Sequence, residues 1–332
     1  RIALGLLLAL ACAWALAAQP RSLRFEHLGV EQGLAQESVL TILQDRQGFM
    51  WFGSQAGLSR FDGYRVTVYK NDPADPGSIT DNYVSSSYID AEGRLWFGTK
   101  GGLARFDREH QKFVRYGEAG GPGAAGANRA VAAIAPDGRG ALWLATADGL
   151  KHFDPATGAF VRLRHDPAQP DSLSDDRVNA LVSDEGGTLW VGTNSGLDRL
   201  ERGATRFEHY ATAASSARPV RVLSLSLAPD RTLWVGTSAG LEARRPDLPG
   251  SPVRRFGAPE GMSAGRIATL YHDREGRLWV GTGLDGLRSR APNEARFQSY
   301  RHQPMDRHSL SNNQIGATHA NPTTSHAASA AA

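Results

Sequence analysis

The stretch LWVGTNSGLDRL at residues 189–200 decides the fold, because the chain says it again and again. LWFGTKGGLARF stands at 95–106, LWLATADGLKHF at 142–153 and LWVGTSAGLEAR at 233–244. Six of the seven tryptophans therefore fall at near-constant spacing: Trp51, Trp96, Trp143, Trp190, Trp234 and Trp279, with steps of 45, 47, 47, 44 and 45 residues. A strand-rich period of this length is one blade of a β-propeller.

The other columns of the repeat each have a physical use. Twelve residues before each Trp stands a branched apolar residue: Val39, Val84, Val131, Val178, Val222 and Ile267. Each opens a short run that reads as a strand buried on both faces. A turn with Asp and Gly follows: Asp45…Gly48, Asp90…Gly93, Asp137-Gly138, Asp184…Gly186 and Asp273…Gly276. The fifth repeat keeps only Pro229-Asp230. Asp caps such a turn locally and Gly accepts positive φ. The Trp strand comes next, with a side chain large enough to fill the space between blades. Gly-Leu turns the chain into a third strand, and segments such as Phe113–Tyr116 and Phe297–Tyr300 supply the outermost one.

The expected fold is all-β: a propeller over residues 22–315, with six complete four-stranded blades and an aborted seventh, an incomplete seven-bladed ring. The seventh repeat begins at Ser309-Leu310-Ser311-Asn312-Asn313-Gln314-Ile315, which copies Ser172 to Val178. Its Trp is due at position 327, where Ala327 stands. Residues 316–332 show no pattern and are expected to be a disordered tail, left by truncation or a frameshift. The extended segment Leu23 to Leu28 matches an outermost strand by position. Such a strand would complete the last blade and remove an exposed sheet edge.

Residues 1–18 read as a signal peptide: Arg1, an apolar run from Ile2 to Leu16, then Ala17-Ala18. The one cysteine, Cys12, lies inside this run, so cleavage leaves a chain without thiols, which suits the periplasm or the exterior. The chain of 332 residues is 41% hydrophobic and 21% charged, with a formal net charge of +3. That charge is scattered as single arginines, which argues against a nucleic-acid partner.

Catalytic motifs dissolve into the repeat. Gly236-Thr237-Ser238-Ala239-Gly240 has the spacing of a serine nucleophile elbow, but it lacks the helix the elbow needs. Gly281-Thr282-Gly283-Leu284-Asp285-Gly286 has the dinucleotide spacing, again without a helix to present its N–H groups to phosphate. The ten histidines show no metal-ligand spacing. The sequence calls for no catalytic residue, no metal and no cofactor.

The unit IxxDxxGxLWxGTxxGLxRxD resembles the two-component regulator propeller repeat. The opening Phe25-Glu26-His27-Leu28…Gly33-Leu34…Ser38-Val39 is similar to the start of such sensors. So is the connector Asn71-Asp72-Pro73…Ser78-Ile79, which returns as His165-Asp166-Pro167…Ser172-Leu173. The resemblance covers about residues 23 to 315. It implies the periplasmic part of a membrane-anchored, dimeric bacterial receptor with two seven-bladed propellers and an immunoglobulin-like domain. The output is a histidine kinase or a diguanylate cyclase, and the family's best-known ligands are oligosaccharides.

Loops that lead into the innermost strands gather at one mouth of a propeller, a default place for a ligand. The candidate binding residues there are Asn82, Tyr83, Arg129, Arg177, Arg221 and Arg266. They suit a small anionic or sugar-like molecule. The expectation is a ligand-sensing fragment of a signalling receptor and not an enzyme. The alternatives are a secreted protein-interaction scaffold and, behind it, a propeller lyase.

Overall fold

The computed structural model describes residues 23–117, 130–212, 220–248, 250–320 and 327–331. The expected signal peptide, with Cys12, lies outside them. Six antiparallel sheets of four strands follow one another along the chain, each running inner, second, third, outer. The inner strands are Val39–Gln44, Val84–Ile89, Val131–Pro136, Val178–Ser183, Val222–Leu227 and Ile267–His272. Each begins at the branched residue of the repeat. Each packs against the inner strand of the next blade, so the six sheets are arranged as a propeller.

Burial corrects one expectation. In blades two to six the inner strands are mostly half-buried beyond their first residues, as in Val84–Ile89. In blades two, four, five and six the strand buried throughout is the second one, Leu95–Thr99, Leu189–Thr193, Leu233–Thr237 and Leu278–Thr282. The inner strand has an inner strand on either side, but its free edge borders the axis. The Trp strand lies between two blades. Trp51 stacks on Tyr69 of its own outer strand at 5.8 Å and meets Phe97 and Phe106 of the next blade at 5.4 and 4.9 Å. Trp96 repeats this with Tyr116 and Phe153.

The glycine after the Trp has a different reason to be glycine than the ones in turns. A Cβ on Gly53 would lie 2.8 Å from Val84 Cγ1, and one on Gly192 would lie 2.5 Å from Val222 Cγ1. On Gly98 it would meet the backbone oxygen of Val131 at 2.6 Å, and on Gly236 the Cγ2 of Ile267 at 2.7 Å. Each second strand thus seats the branched residue that opens the next blade. Blade three has Ala145 here, and the facing inner-strand residue is Ala133, where blades one, two, five and six carry Thr or Ser.

The threonine that follows closes the next turn. Thr99 Oγ1 donates to Gly102 O at 3.0 Å and accepts from Gly101 N at 3.0 Å. Thr193, Thr237 and Thr282 do the same in their blades.

Among the described residues no seventh four-stranded blade stands. In its place stands one strand, Ile315–Ala320, packed between the inner strands of blades six and one and paired with Ala327–Ala331. Residues 316–320 and 327–331 are therefore strand where a disordered tail was expected. The cause is the inter-blade seat: a Cβ on Gly281 of blade six would lie 2.8 Å from Ile315 Cγ2, the close approach that blades one, two, four and five make to their successors. The segment Leu23 to Leu28 is not a sheet strand either. Phe25 N donates to His308 O at 2.9 Å, and the Phe25 ring meets Tyr300 edge-on at 5.9 Å. With Leu23 it covers Trp279, Leu310 and Ile315. It packs on blade six without pairing with that blade's outer strand, Gln298–Tyr300.

Gly98→Ala is expected to destabilise the chain by about 1–3 kcal/mol, the usual range for overpacking. Gly117→Ala adds its Cβ to open space and should change stability by less than about 0.5 kcal/mol. Urea unfolding of the two variants checks this, and equal stabilities would refute the seat.

Candidate functional site

The antiparallel meander puts two kinds of loop on opposite faces. One face holds the approaches to the inner strands and the Gly-Thr turns. The other holds the Asp turns and the third-to-outer connections.

On the first face, the column just before the inner strands is held by its backbone. Tyr83 O accepts from Lys100 N at 2.9 Å, Arg177 O from Asn194 N at 3.1 Å, Arg221 O from Ser238 N at 2.9 Å and Arg266 O from Gly283 N at 2.9 Å. The side chains of all four are exposed. Arg177, Arg221 and Arg266 sit on three successive blades, four, five and six, while Tyr83 is on blade two. Asn82 has another task. Its Oδ1 accepts from Asn71 N at 2.7 Å, as Asp176 accepts from His165 N and Asn313 from His302 N, both at 2.8 Å. In each case Ser78, Ser172 or Ser309 closes the same connector through its hydroxyl, over a buried Ile79, Leu173 or Leu310. Asn82 thus belongs to a loop clamp. Arg129 lies outside the described residues.

The opposite face carries a clamp that spacing suggests only in part. Asp45 Oδ1 accepts from Gln47 N and Phe49 N, and its Oδ2 accepts from Trp51 Nε1 at 3.0 Å. Asp90 does this for Trp96 at 2.7 Å and Asp273 for Trp279 at 2.8 Å. One carboxylate thus closes the hairpin and orients the inter-blade Trp. In blade three His152 Nε2 lies 3.1 Å from Asp137 Oδ2 instead. The residue three past each Asp is a glycine in the left-handed region: Gly48, Gly93, Gly140, Gly187 and Gly276. In the third and fourth repeats it is not the Gly138 or Gly186 picked out from spacing.

Blade five, whose strands are Val222–Leu227, Leu233–Thr237, Leu241–Arg244 and Arg254–Phe256, lacks both clamp residues. Ala228 stands where the Asp belongs, and Arg231 holds the glycine conformation at φ 64°. Such strained backbone is held in place by its surroundings and clusters at functional sites. Here the turn borders a cavity of about 580 Å³ between blades five and six. Its size is that of small-molecule sites, roughly 300–1,000 Å³. The rings of Trp234 and Phe256, 4.9 Å apart, form part of the wall. Five arginines line it, Arg244, Arg245, Arg254, Arg274 and Arg290, against two carboxylates, Asp230 and Glu275. The Arg290 guanidinium lies 5.6 Å from both the Trp234 and Phe256 rings. Burial, and then the charge of Arg254, lower its pKa. Nε of Arg244 is buried and has no hydrogen-bond partner among the described residues. His272 lies at the cavity within 2.7 Å of Ser226 Oγ, and burial pushes its pKa down, so its imidazole is neutral near pH 7. Sequence spacing missed this site. Its one signal was the loss of the Asp turn in the fifth repeat.

A propeller with these repeats has known counterparts. Residues 33–56, 78–101, 172–195 and 261–283 match the family model of the two component regulator propeller, so the repeats are of that kind. A stretch of 65 residues is 40% identical to histidine kinase P4 of Formosa agariphila, covering 20% of this chain and 5% of the kinase. The extracellular domains of two hybrid two-component systems from B. thetaiotaomicron superpose over 93% of this chain. One gives a TM-score of 0.77 at 21% identity, the other 0.75 at 25% identity. The chain spans 39% and 40% of those domains.

The Asp–Trp clamp gives a pH signature. Burial alone would raise the pKa of Asp90, but the bonds from Trp96 and Arg94 outweigh it and hold it below the usual carboxylate range. A folded pKa below the unfolded value contributes stability that is present above about 3.9 and is lost as pH falls through the folded value. Asp90→Ala is expected to cost about 1–3 kcal/mol at neutral pH, and the gap to the parent should narrow in acid. Urea titrations from neutral pH downward check this. A gap that stays constant would speak against the clamp.

Proposed function

We propose that this chain is the ligand-sensing propeller of a bacterial two-component receptor, working on the periplasmic side of the membrane. The observation that carries the reading is the match of four repeats to the two component regulator propeller, together with the fold shared with extracellular sensor domains. In this reading residues 1–18 export the chain, and the kinase or cyclase output belongs to another part of the same receptor. The propeller has no catalytic task. It takes up a small molecule, an oligosaccharide or an organic anion, and passes on a change in packing or in dimer contacts. A ligand acts this way only if it binds one state better than the other. The exposed arginines Arg177, Arg221 and Arg266 at one rim support the reading, since guanidinium groups recognise carboxylates and sugar acids by paired hydrogen bonds. The Ile315–Ala320 strand would then begin a seventh blade of the ring.

The test is made in the receptor that carries this propeller. Deleting residues 23–320 is expected to abolish stimulus-dependent output while the output domain stays expressed. Stimulus-dependent output that survives the deletion would end the sensing proposal.

A further inference from the structure

We infer that the cavity between blades five and six is a binding site for an organic anion, a carboxylate or phosphate carried on a flat ring. The site deepens the sensing role proposed above and rests on it for its purpose, though its chemistry stands on blades five and six alone.

Three observations converge. The first is the missing clamp. In blades one, two and six the indole N–H of the Trp donates to an Asp of its own turn. In blade five Ala228 removes that acceptor and also removes a carboxylate from this wall. An anionic oxygen of a ligand can take the place of the lost one. The second is charge. Five guanidinium groups face two carboxylates around the cavity. Of these, Arg245 is paired with Asp247 at 3.0 Å and Arg244 with Glu242 at 3.1 Å, but Nε of Arg244 has no partner among the described residues. Burial, and then the charge of Arg254, disfavour the protonated state of Arg290. An anion between them relieves this repulsion and gains charge-assisted hydrogen bonds. The third is the apolar surface. Trp234 and Phe256 give the cavity an aromatic wall that inorganic anions cannot use, and a flat ring can pack there.

The site also lies on the face opposite the rim of Arg177, Arg221 and Arg266, as the meander requires. Occupancy would bridge the two hairpins of neighbouring blades, Ala228–Thr232, which lacks its Asp, and Arg274–Gly276, which Asp273 closes. A ligand oxygen would offer Trp234 the acceptor that Asp45, Asp90 and Asp273 offer the Trp of blades one, two and six.

The experiment is calorimetric titration of the chain with phenyl phosphate and with benzoate, with inorganic phosphate and phenol as comparisons. At least one of the two ring-bearing anions is expected to bind at least tenfold tighter than either comparison. Which of the two is tighter tells phosphate from carboxylate. Ala228→Asp restores the repeat's own acceptor, so it should fold as well as the parent or better and weaken the ring-bearing anion at least tenfold. Arg254→Ala, at an exposed position, should weaken it at least fivefold, and Arg266→Ala on the other face should leave it unchanged. No binding of either ring-bearing anion, equal binding of inorganic phosphate, or binding that Arg266→Ala removes and the other two variants spare would overturn the site. None of these results bears on the receptor deletion, so the site and the sensing role fail separately.

Discussion

The contact on which the ring depends is the one between a glycine on the second strand and the branched residue that opens the next blade. Gly53 against Val84, Gly98 against Val131, Gly192 against Val222 and Gly236 against Ile267 are four instances of one seat. At each, a side chain on the second strand would occupy space already held by its neighbour. The two sheets can thus approach closely enough for the adjacent Trp to reach the aromatic residues across the gap. Packing density in an interior leaves little slack for an extra methyl group. The same seat explains why Ile315 is ordered. Blade six presents Gly281 whether or not a complete blade follows, and the next branched residue in the chain takes the place.

Radial repetition makes each blade answer mainly to its two neighbours. One joint can then be altered without cost to the others. Blade five shows such an alteration. Its Trp234 remains packed on Phe256, and its Thr237 still closes the Gly turn. Only the hairpin that faces blade six has lost its Asp and its Gly. The opening that results is lined by arginine and aromatic surface, a composition that water alone does not call for. Blade three shows a milder variation, in which His152 takes the Asp137 oxygen that an indole takes elsewhere.

Much of the fold was legible in the sequence because a propeller writes its geometry as a period. Trp51 through Trp279, the branched residues twelve positions earlier and the Gly-Leu turns each mark a fixed depth in a blade. The connectors at Asn71–Ile79 and His165–Leu173 were legible as a recurring phrase, and they fold as the same hydrogen-bonded loop. Less could be read at the ends. Leu23 to Leu28 has strand composition, yet it packs on blade six through the side chains of Leu23 and Phe25 and forms no ladder with that blade's outer strand. Position along a strand also misled in one respect. An apolar run does not tell a strand whose edge faces the axis from one paired on both edges, and the latter is the more buried.

The sequence by itself determined the blade: four strands, a clamped hairpin, a Trp and a glycine seat, all set by contacts within about one period of the chain. The candidate sites were decided by tertiary structure. Asn82 was expected at the mouth because it precedes an inner strand, yet its side chain is spent on Asn71 in the loop behind it. The cavity joins Ala228 and Trp234 of one repeat to His272, Arg274 and Arg290 of the next. Within one repeat the fifth turn is only an irregularity. It becomes a basic, aromatic pocket when the following blade is placed beside it, because a surface built by two blades is encoded in neither alone.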